Sequence, residues 1–395
     1  MAVIVDALRT PIGGLYGTLS SKSPEELVSI VMNKQLEKLG LDPDIVNEVI
    51  IGQTKQSAHA PNVARVASLL AGIPESVPSY TVHRQCGSGM QSVHNAYMMI
   101  ETGLAEVVLA GGVESMSQAP YYLFGGQVGV KSGNVTMYDS NTESQPKSQP
   151  ESIYGSFTMG ETAEILADKY KISREEQDQF ALESQRKARK AIESGRFVDE
   201  IVPIEIHNRK KGIEIFAVDE HPRETTIEIL ATLKPVFRKN GTVTAGNASG
   251  RNDGAAVLAI MNEEMALRMG IQPLAKIIGI GAAGVNPREM GIGPVPASKR
   301  ALDMAGLTLE DMDLIELNEA FAAQSLAVLR EWGSDGANVN MNGGAIALGH
   351  PLGCSGARIL VTLVHELLKQ DKQYGLATLC TAGGQGVSTV IELWK

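Results

Sequence analysis

The sequence predicts a layered α/β protein made of two similar halves, with a separate segment set between them. Three observations carry this reading. Short apolar strand-like runs alternate with helical patterns in both halves. The halves also resemble each other: LGLDPDIVNEVIIGQ at 39–53 and AGLTLEDMDLIELNE at 305–319 both read as a Gly-Leu helix end, a polar turn and a buried-strand run. Further on, Ser88-Gly89 opens a helix leading to a strand at Val107–Ala110. Ser355-Gly356 likewise opens one leading to a strand at Leu376–Cys380.

The intervening segment, 116–248, has a different character. Its Ser/Gln/Pro-rich stretch, Ser140 to Ser152, lacks the apolar residues of a core and is expected as a surface loop. A helix follows, with Ser173 and Glu176 as a capping box at its start and Gly195 at its C-terminus. Strand-like runs at 200–206 and 212–218 flank a basic turn and suggest a hairpin. The expected division is 1–115 plus 249–271 as the first half, 116–248 as an inserted loop domain, and 272–395 as the second half.

A chain of 395 residues is too long for one ordinary core. A net charge of −10 and a pI near 5.3 argue against nucleic acid or an anionic membrane as partner. A small anionic ligand stays open, because local cations and helix N-termini can hold one inside an acidic protein. The three cysteines, Cys86, Cys354 and Cys380, are too few and odd in number for a disulfide framework and fit a reducing compartment. The opening MAVIVD enters a strand-like run without a basic region or long apolar core. No apolar run approaches the roughly 20 residues of a membrane helix. The expectation is a soluble, cytoplasmic protein.

Chemistry-bearing residues gather at a few places. Cys86 precedes Met90, Val93, Tyr97 and Ile100 at helical spacing, so it sits at a helix N-terminus after the strand-like Ser79–Val82. Partial positive charge and free N–H groups there favour a thiolate. A buried structural thiol would suit the same pattern. His350 lies between Gly349 and Pro351 in the glycine-rich NMNGGAIALGHPLGCSGA, a poor place for ordinary packing. Its repeat-related position mirrors that of Cys86, so it could take the Cys86 proton. Cys380 ends a strand and runs into TAGGQG, which suggests close backbone approach to a ligand. Cys354 falls inside a helix start and reads as a small packing residue. Asn318, after the strand Asp313–Leu317, is either a turn residue or an amide donor to an oxyanion. Spacing of these cysteines and His350 does not match a zinc site. GIGAAG at 279–284 matches a dinucleotide pattern in letters, but Asn286-Pro287, Pro294 and Pro296 follow before any helical pattern, so a turn is expected.

Taken together, CGSG, GGVES (111–115), GNASG (246–250), NEAFA, NGGAIALGHPLGCSGAR and a final C-x-x-G-G-x-G resemble the thiolase family, in that family's order and over essentially the whole chain. DALRTPIG at 6–13 and DEHPR at 219–223 resemble it too. The resemblance implies a thiolase-like duplicated α-β-α-β-α five-layered fold with an inserted loop domain. It implies Cys86 as acyl-accepting nucleophile, His350 as its activator and a ligand of a thioester oxygen, and Cys380 as the acid/base for a Cα proton. Asn318 would hold a water in one oxyanion hole, and the backbone N–H groups of Cys86 and Ala382 would form another. Ser249 would contact the pantetheine, Arg223 would lie near the nucleotide phosphates, and Met159, Met290 and Phe321 are candidate substrate contacts. Coenzyme A is then substrate and product, with no further cofactor and no metal. Three departures bear on chain length. Ala382 stands where the family usually has Gly, Thr158-Met159-Gly160 lacks a His common in acetoacetyl-specific members, and His83-Arg84-Gln85 is closer to degradative ones.

The reaction implied is reversible condensation of two acetyl-CoA to acetoacetyl-CoA and CoA through an acyl-cysteine. Such chemistry needs a covalent carrier, a base for a weakly acidic C–H and donors for two oxyanions. Rival readings are a broader 3-ketoacyl-CoA thiolase of β-oxidation, a non-catalytic acyl-CoA or lipid carrier, and a cysteine hydrolase that would leave Cys380 unused. The segment Pro120–Asp139, with Lys131, resembles one that pairs dimers in some thiolases, so a homodimer or homotetramer is expected.

Overall fold

The computed structural model describes residues 1–126, 129, 132–208 and 212–395. Among the described residues nine strands form the path of one large sheet: β1 (Ala2–Arg9), β2 (Glu48–Gly52), β3 (Ser79–Val82), β4 (Val107–Ser115), β5 (Asn252–Asn262), β6 (Ala275–Gly284), β7 (Leu314–Leu317), β8 (Tyr374–Thr381) and β9 (Gln385–Leu393). The two-residue strand Gly13–Gly14 joins β5 off this path. The order is β7-β8-β9-β6-β1-β5-β4-β2-β3. Read outward from the β1–β6 junction, the two sides match. On one side β1, β5 and β4 run antiparallel in turn and β2 lies parallel to β4; on the other β6, β9 and β8 do the same and β7 lies parallel to β8. Only two residue pairs, Val3–Lys276 and Ile4–Ala275, join β1 to β6. The internal likeness of the sequence is thus a duplicated topology.

Burial explains the run-like strand sequences. All eight residues of β1 and all nine of β4 are buried, because helices cover both faces. Pro24–Leu39 and Val63–Leu70 pack one outer face with β1, β2, β4 and β5. Pro294–Ala305 and Ala322–Trp332 pack the other with β7, β8 and β9. Between the two sides of the sheet lie two central helices, the Cys86 helix (Ser88–Glu101) and the His350 helix (Leu352–Gln370). Helix, sheet, helix pair, sheet and helix make five layers.

The two central helices touch backbone to backbone. A Cβ on Gly89 would stand 2.7 Å from the Gly353 carbonyl, and one on Gly356 would stand 2.5 Å from the Met90 nitrogen. The small residues of CGSG and GCSGA are therefore the contact that brings the starts of both helices together.

Residues 116–251 connect β4 to β5. Their helices Met159–Tyr170 and Arg174–Glu193 each begin with a capping box, Thr158 with Glu161 and Ser173 with Glu176, and Gly195 adopts the left-handed conformation just past the second. Buried ion pairs tie this segment to the sheet: Arg9 donates to Glu200 at 2.6 Å and to Asp219 at 2.7 and 2.9 Å. The expected hairpin is Ile204–Asn208 paired with Gly212–Phe216. Its basic turn, 209–211, and Lys131 lie outside the described residues.

Two expectations are corrected. GIGAAG at 279–284 is not a turn but the body of β6. Helix Pro294–Ala305 packs so closely on it that a Cβ at Gly279 or Gly281 would collide with the Ala301 or Ala297 carbonyl. The helix itself starts at Pro294, its prolines falling in the first turn where no intrahelical N–H is lost. The polar stretch Ser140–Ser152 is not merely surface: it contains the short helices Ser140–Glu143 and Glu151–Tyr154, and Ser140, Asn141 and Gln149 are buried. Hydrogen bonds from Lys55 to the Ser140 carbonyl and from Asn141 to the Met116 carbonyl hold it.

Candidate active site

A cavity of about 280 Å³ opens where the inserted segment meets both halves. Cys86, His350 and Cys380 all line it, although they come from three different elements. The Cys86 turn is tight: Gln85 has φ +45°, Ser88 Oγ accepts from the Arg84 N–H at 2.8 Å, and it donates to the Gln85 carbonyl at 2.6 Å. Gly87 lets this turn rest on the end of β8, since a Cβ there would lie 2.7 Å from Thr381 Cγ2 and 2.8 Å from Val387 Cγ2. That close approach sets the two thiols near one another, with the Cys86 sulfur within electrostatic reach of the Ala382 N–H.

Burial governs the electrostatics. The Cys86 thiol is pushed up to about 11 by desolvation, against the opposing pull of the Ala382 N–H, the Lys55 ammonium and its own N–H. Burial thus outweighs the pull that the N–H groups of the helix start exert toward a thiolate. Cys380 is pushed still higher by burial and by the neighbouring Cys86 sulfur. His350 is lowered to about 3 by burial and by the Arg358 guanidinium, so its imidazole is neutral. Its Nδ1 lies 2.6 Å from Ser355 Oγ, whose own hydrogen goes to the Pro351 carbonyl at 2.8 Å. Nδ1 therefore carries the proton and donates, which leaves Nε2 as a free acceptor. A protonated thiol and a neutral imidazole with a free acceptor nitrogen thus line the same cavity.

The remaining predicted residues divide. Ala382, Ser249, Met159, Met290 and Phe321 line the cavity. Met290 and Phe321 belong, with Cys380 and Ala248, to one apolar cluster against which Met159 and Phe237 pack. Asn318 is fully buried, its backbone carbonyl accepts from the Ala320 N–H at 3.1 Å, and neither polar atom of its carboxamide has a partner among the described residues. It does not itself line the cavity. Arg223 is exposed and stands outside it; its backbone N–H donates to Gln185 Oε1 at 3.0 Å. Cys354 is a core residue, as expected.

Sequence reasoning missed Met116, Asn141, Thr142, Gln145, Pro146 and Phe237, which also line the cavity. None carries a local pattern that marks a site. It also missed Glu114, which accepts from the Thr54 N–H at 3.1 Å, the Lys55 N–H at 2.9 Å and the Gly353 N–H at 2.9 Å, and so fixes the His350 helix to β4. Among the described residues no cluster of side chains is suited to a metal ion.

The fold and site define a class. Residues 2–264 match the model of the thiolase N-terminal domain and 271–393 that of the thiolase C-terminal domain, so the chain belongs to the thiolase family. An acetyl-CoA acetyltransferase of Pseudomonas aeruginosa is 51% identical over 393 residues, covering 98% of each chain. The crystal structure of the Bacillus anthracis acetyl-CoA acetyltransferase superposes with a TM-score of 0.96 at 49% identity, covering 100% of this chain and 98% of that one. Human mitochondrial 3-ketoacyl-CoA thiolase in complex with CoA gives a TM-score of 0.94 at 44% identity, covering 100% of this chain and 98% of the other.

Proposed function

We propose that this thiolase is an acetyl-CoA C-acetyltransferase, condensing two acetyl-CoA to acetoacetyl-CoA and CoA in a reversible ping-pong reaction. Full-length similarity to acetyl-CoA acetyltransferases supports the activity. The single structural observation that carries the mechanism is the meeting of Cys86, His350 and Cys380 on one cavity.

In the forward direction His350 Nε2 takes the Cys86 proton and the thiolate adds to the acetyl carbonyl. CoA leaves as a thiolate and takes the Cys380 proton, so acetyl-Cys86, an imidazolium and the Cys380 thiolate remain. That thiolate removes a Cα proton from the second acetyl-CoA, and the enolate attacks acetyl-Cys86. Collapse releases acetoacetyl-CoA and the Cys86 thiolate, which recovers its proton from His350. The Cys86 and Ala382 N–H groups serve one oxyanion; His350 and a water held by the unpartnered Asn318 amide serve the other, each donor worth roughly 3–4 kcal/mol. Ser249 contacts the pantetheine and Arg223 lies toward the nucleotide end.

The cavity, about 280 Å³, is just below the ~300–1,000 Å³ common for ligand sites, which suits a short acyl group with the bulk of CoA outside. A longer-chain thiolase would need a deeper pocket. A non-catalytic carrier would have no use for the convergent thiol–imidazole–thiol set. Thiolysis of a 3-ketoacyl-CoA series tests the assignment: acetoacetyl-CoA is expected to have the highest kcat/KM. A preference of about tenfold or more for 3-ketooctanoyl-CoA would overturn it.

For assembly, the free edge of β3 supports a homodimer, and the exposed Tyr121, Leu123 and Phe124 support pairing of dimers into a tetramer. A sedimenting species of 42.1 kDa alone would count against both. No helix among the described residues is long and apolar enough to cross a membrane. A cytoplasmic location rests on the three unpaired thiols.

A further inference from the structure

We propose that Lys55 is a positioning residue that anchors the Ser140–Pro146 wall of the cavity and thereby holds the enzyme to short acyl groups; this rests on the thiolase reading above. Lys55 follows β2 and is 3% exposed, a rare setting for an ammonium. Its Nζ donates to the Ser140 carbonyl at 2.7 Å, to Ser144 Oγ, and to Gln145 Oε1 at 3.3 Å. All three of its donors thus go to one short stretch of chain.

That stretch puts Asn141, Thr142, Gln145 and Pro146 on the cavity. Among the described residues, no side chain of 140–152 belongs to an apolar cluster of the core. Polar bonds reach it from several sides. Besides Lys55, these include Asn141 Nδ2 to the Met116 carbonyl at 2.8 Å and Gln85 Nε2 to Ser148 Oγ at 2.8 Å. Lys55 ties it to the frame behind the base: the Lys55 backbone N–H is held by Glu114, the carboxylate that also holds Gly353 beside the His350 turn. The depth of the pocket facing Cys86 is in this way tied to the segment that presents the base. The Lys55 charge also faces Cys86 and opposes the upward push of burial on its thiol.

The test compares thiolysis of acetoacetyl-CoA and 3-ketooctanoyl-CoA by wild type, Lys55→Met, Lys55→Arg, Ser144→Ala and the Lys55→Met/Ser144→Ala double variant. Lys55→Met is expected to raise the kcat/KM ratio of long over short substrate about tenfold, mainly through a higher KM for acetoacetyl-CoA. Ser144→Ala shifts the ratio the same way by less, the double variant adds little to Lys55→Met, and Lys55→Arg recovers part of the discrimination. Wild-type ratios in Lys55→Met and Ser144→Ala would overturn the inference. If Lys55→Met does not fold, the Ser144→Ala ratio decides alone. A wild type that forms no acetyl-Cys86 would overturn the thiolase reading and this one with it; a competent wild type with unmoved ratios overturns only this one.

Discussion

The backbone N–H of His350 donates to Asn252 Oδ1 at 3.0 Å, while Asn252 Nδ2 donates to the Gly13 carbonyl at 2.9 Å. One carboxamide at the start of β5 thus fastens the imidazole turn of the second half to the first. Gly349, at φ +99°, lets the turn fold over it, and a Cβ there would lie 2.5 Å from the Asn252 side chain. Asn252→Ala is expected to lower kcat/KM by up to about 100-fold through misplacement of the base. Stability falls by about 1–3 kcal/mol as buried groups lose partners. Steady-state kinetics beside a urea titration checks both, and wild-type kcat/KM would contradict the positioning role.

The two thiols should separate by partial reaction. Cys86→Ala removes the acyl carrier, so no acetyl adduct appears by intact mass after acetyl-CoA is added. Cys380→Ser still acylates at Cys86, with water able to protonate departing CoA, but carbon–carbon bond formation and cleavage fall about 10²–10⁴-fold. Unchanged thiolysis in Cys380→Ser would remove Cys380 from the chemistry.

Reactivity of Cys86 in the free enzyme should follow its raised pKa of about 11. Thiolate is the reactive form, so alkylation at Cys86 by iodoacetamide rises about tenfold per pH unit from neutral pH toward that value. Peptide mapping of the label against pH reads this directly. A plateau near neutrality would mean a resting thiolate.

His94 in the Cys86 helix offers a pH test away from the chemistry. It is buried, its Nε2 lies 2.9 Å from Thr389 Oγ1, and burial with the nearby Arg84 charge lowers it to about 3 from an unfolded value of 6.5. Between those values the unfolded chain holds a proton that the folded one does not, so stability rises with pH and is lost as pH falls from 6.5 toward 3. In that window His94→Gln is expected to flatten the dependence of unfolding free energy on pH by about 1.4 kcal/mol per pH unit, one proton's worth. Parallel curves for the two proteins would show that His94 does not titrate this way.

Gly89→Ala probes the helix crossing. Its Cβ would press on the Gly353 carbonyl at 2.7 Å and the Ala357 nitrogen at 3.0 Å, both backbone atoms with no rotamer to yield. A loss of about 1–3 kcal/mol is expected, together with loss of activity as the starts of the two central helices part. Thermal and urea midpoints report the first and acetoacetyl-CoA thiolysis the second.

Much of this protein can be read in one dimension. Strand and helix periodicity, the repeated Gly-Leu and Ser-Gly patterns and the capping box at Ser173 are local, because each depends on residues a few positions apart. The α/β class, the duplication and the cysteines and histidine of the motifs therefore lie in the sequence itself. Meaning that depends on distant chain does not. GIGAAG reads as a turn until helix Pro294–Ala305 is seen to press on it, and Ser140–Ser152 reads as a solvated loop until Lys55 is seen to hold it. Neither the state of Cys86 nor the free acceptor on His350 is local either. Burial at the meeting of two halves decides the first, and the Ser355 hydroxyl decides the second. Sequence supplied the thiols and the imidazole; desolvation and hydrogen bonding, which exist only once remote segments pack together, decided their charge, their tautomer and the size of the space between them.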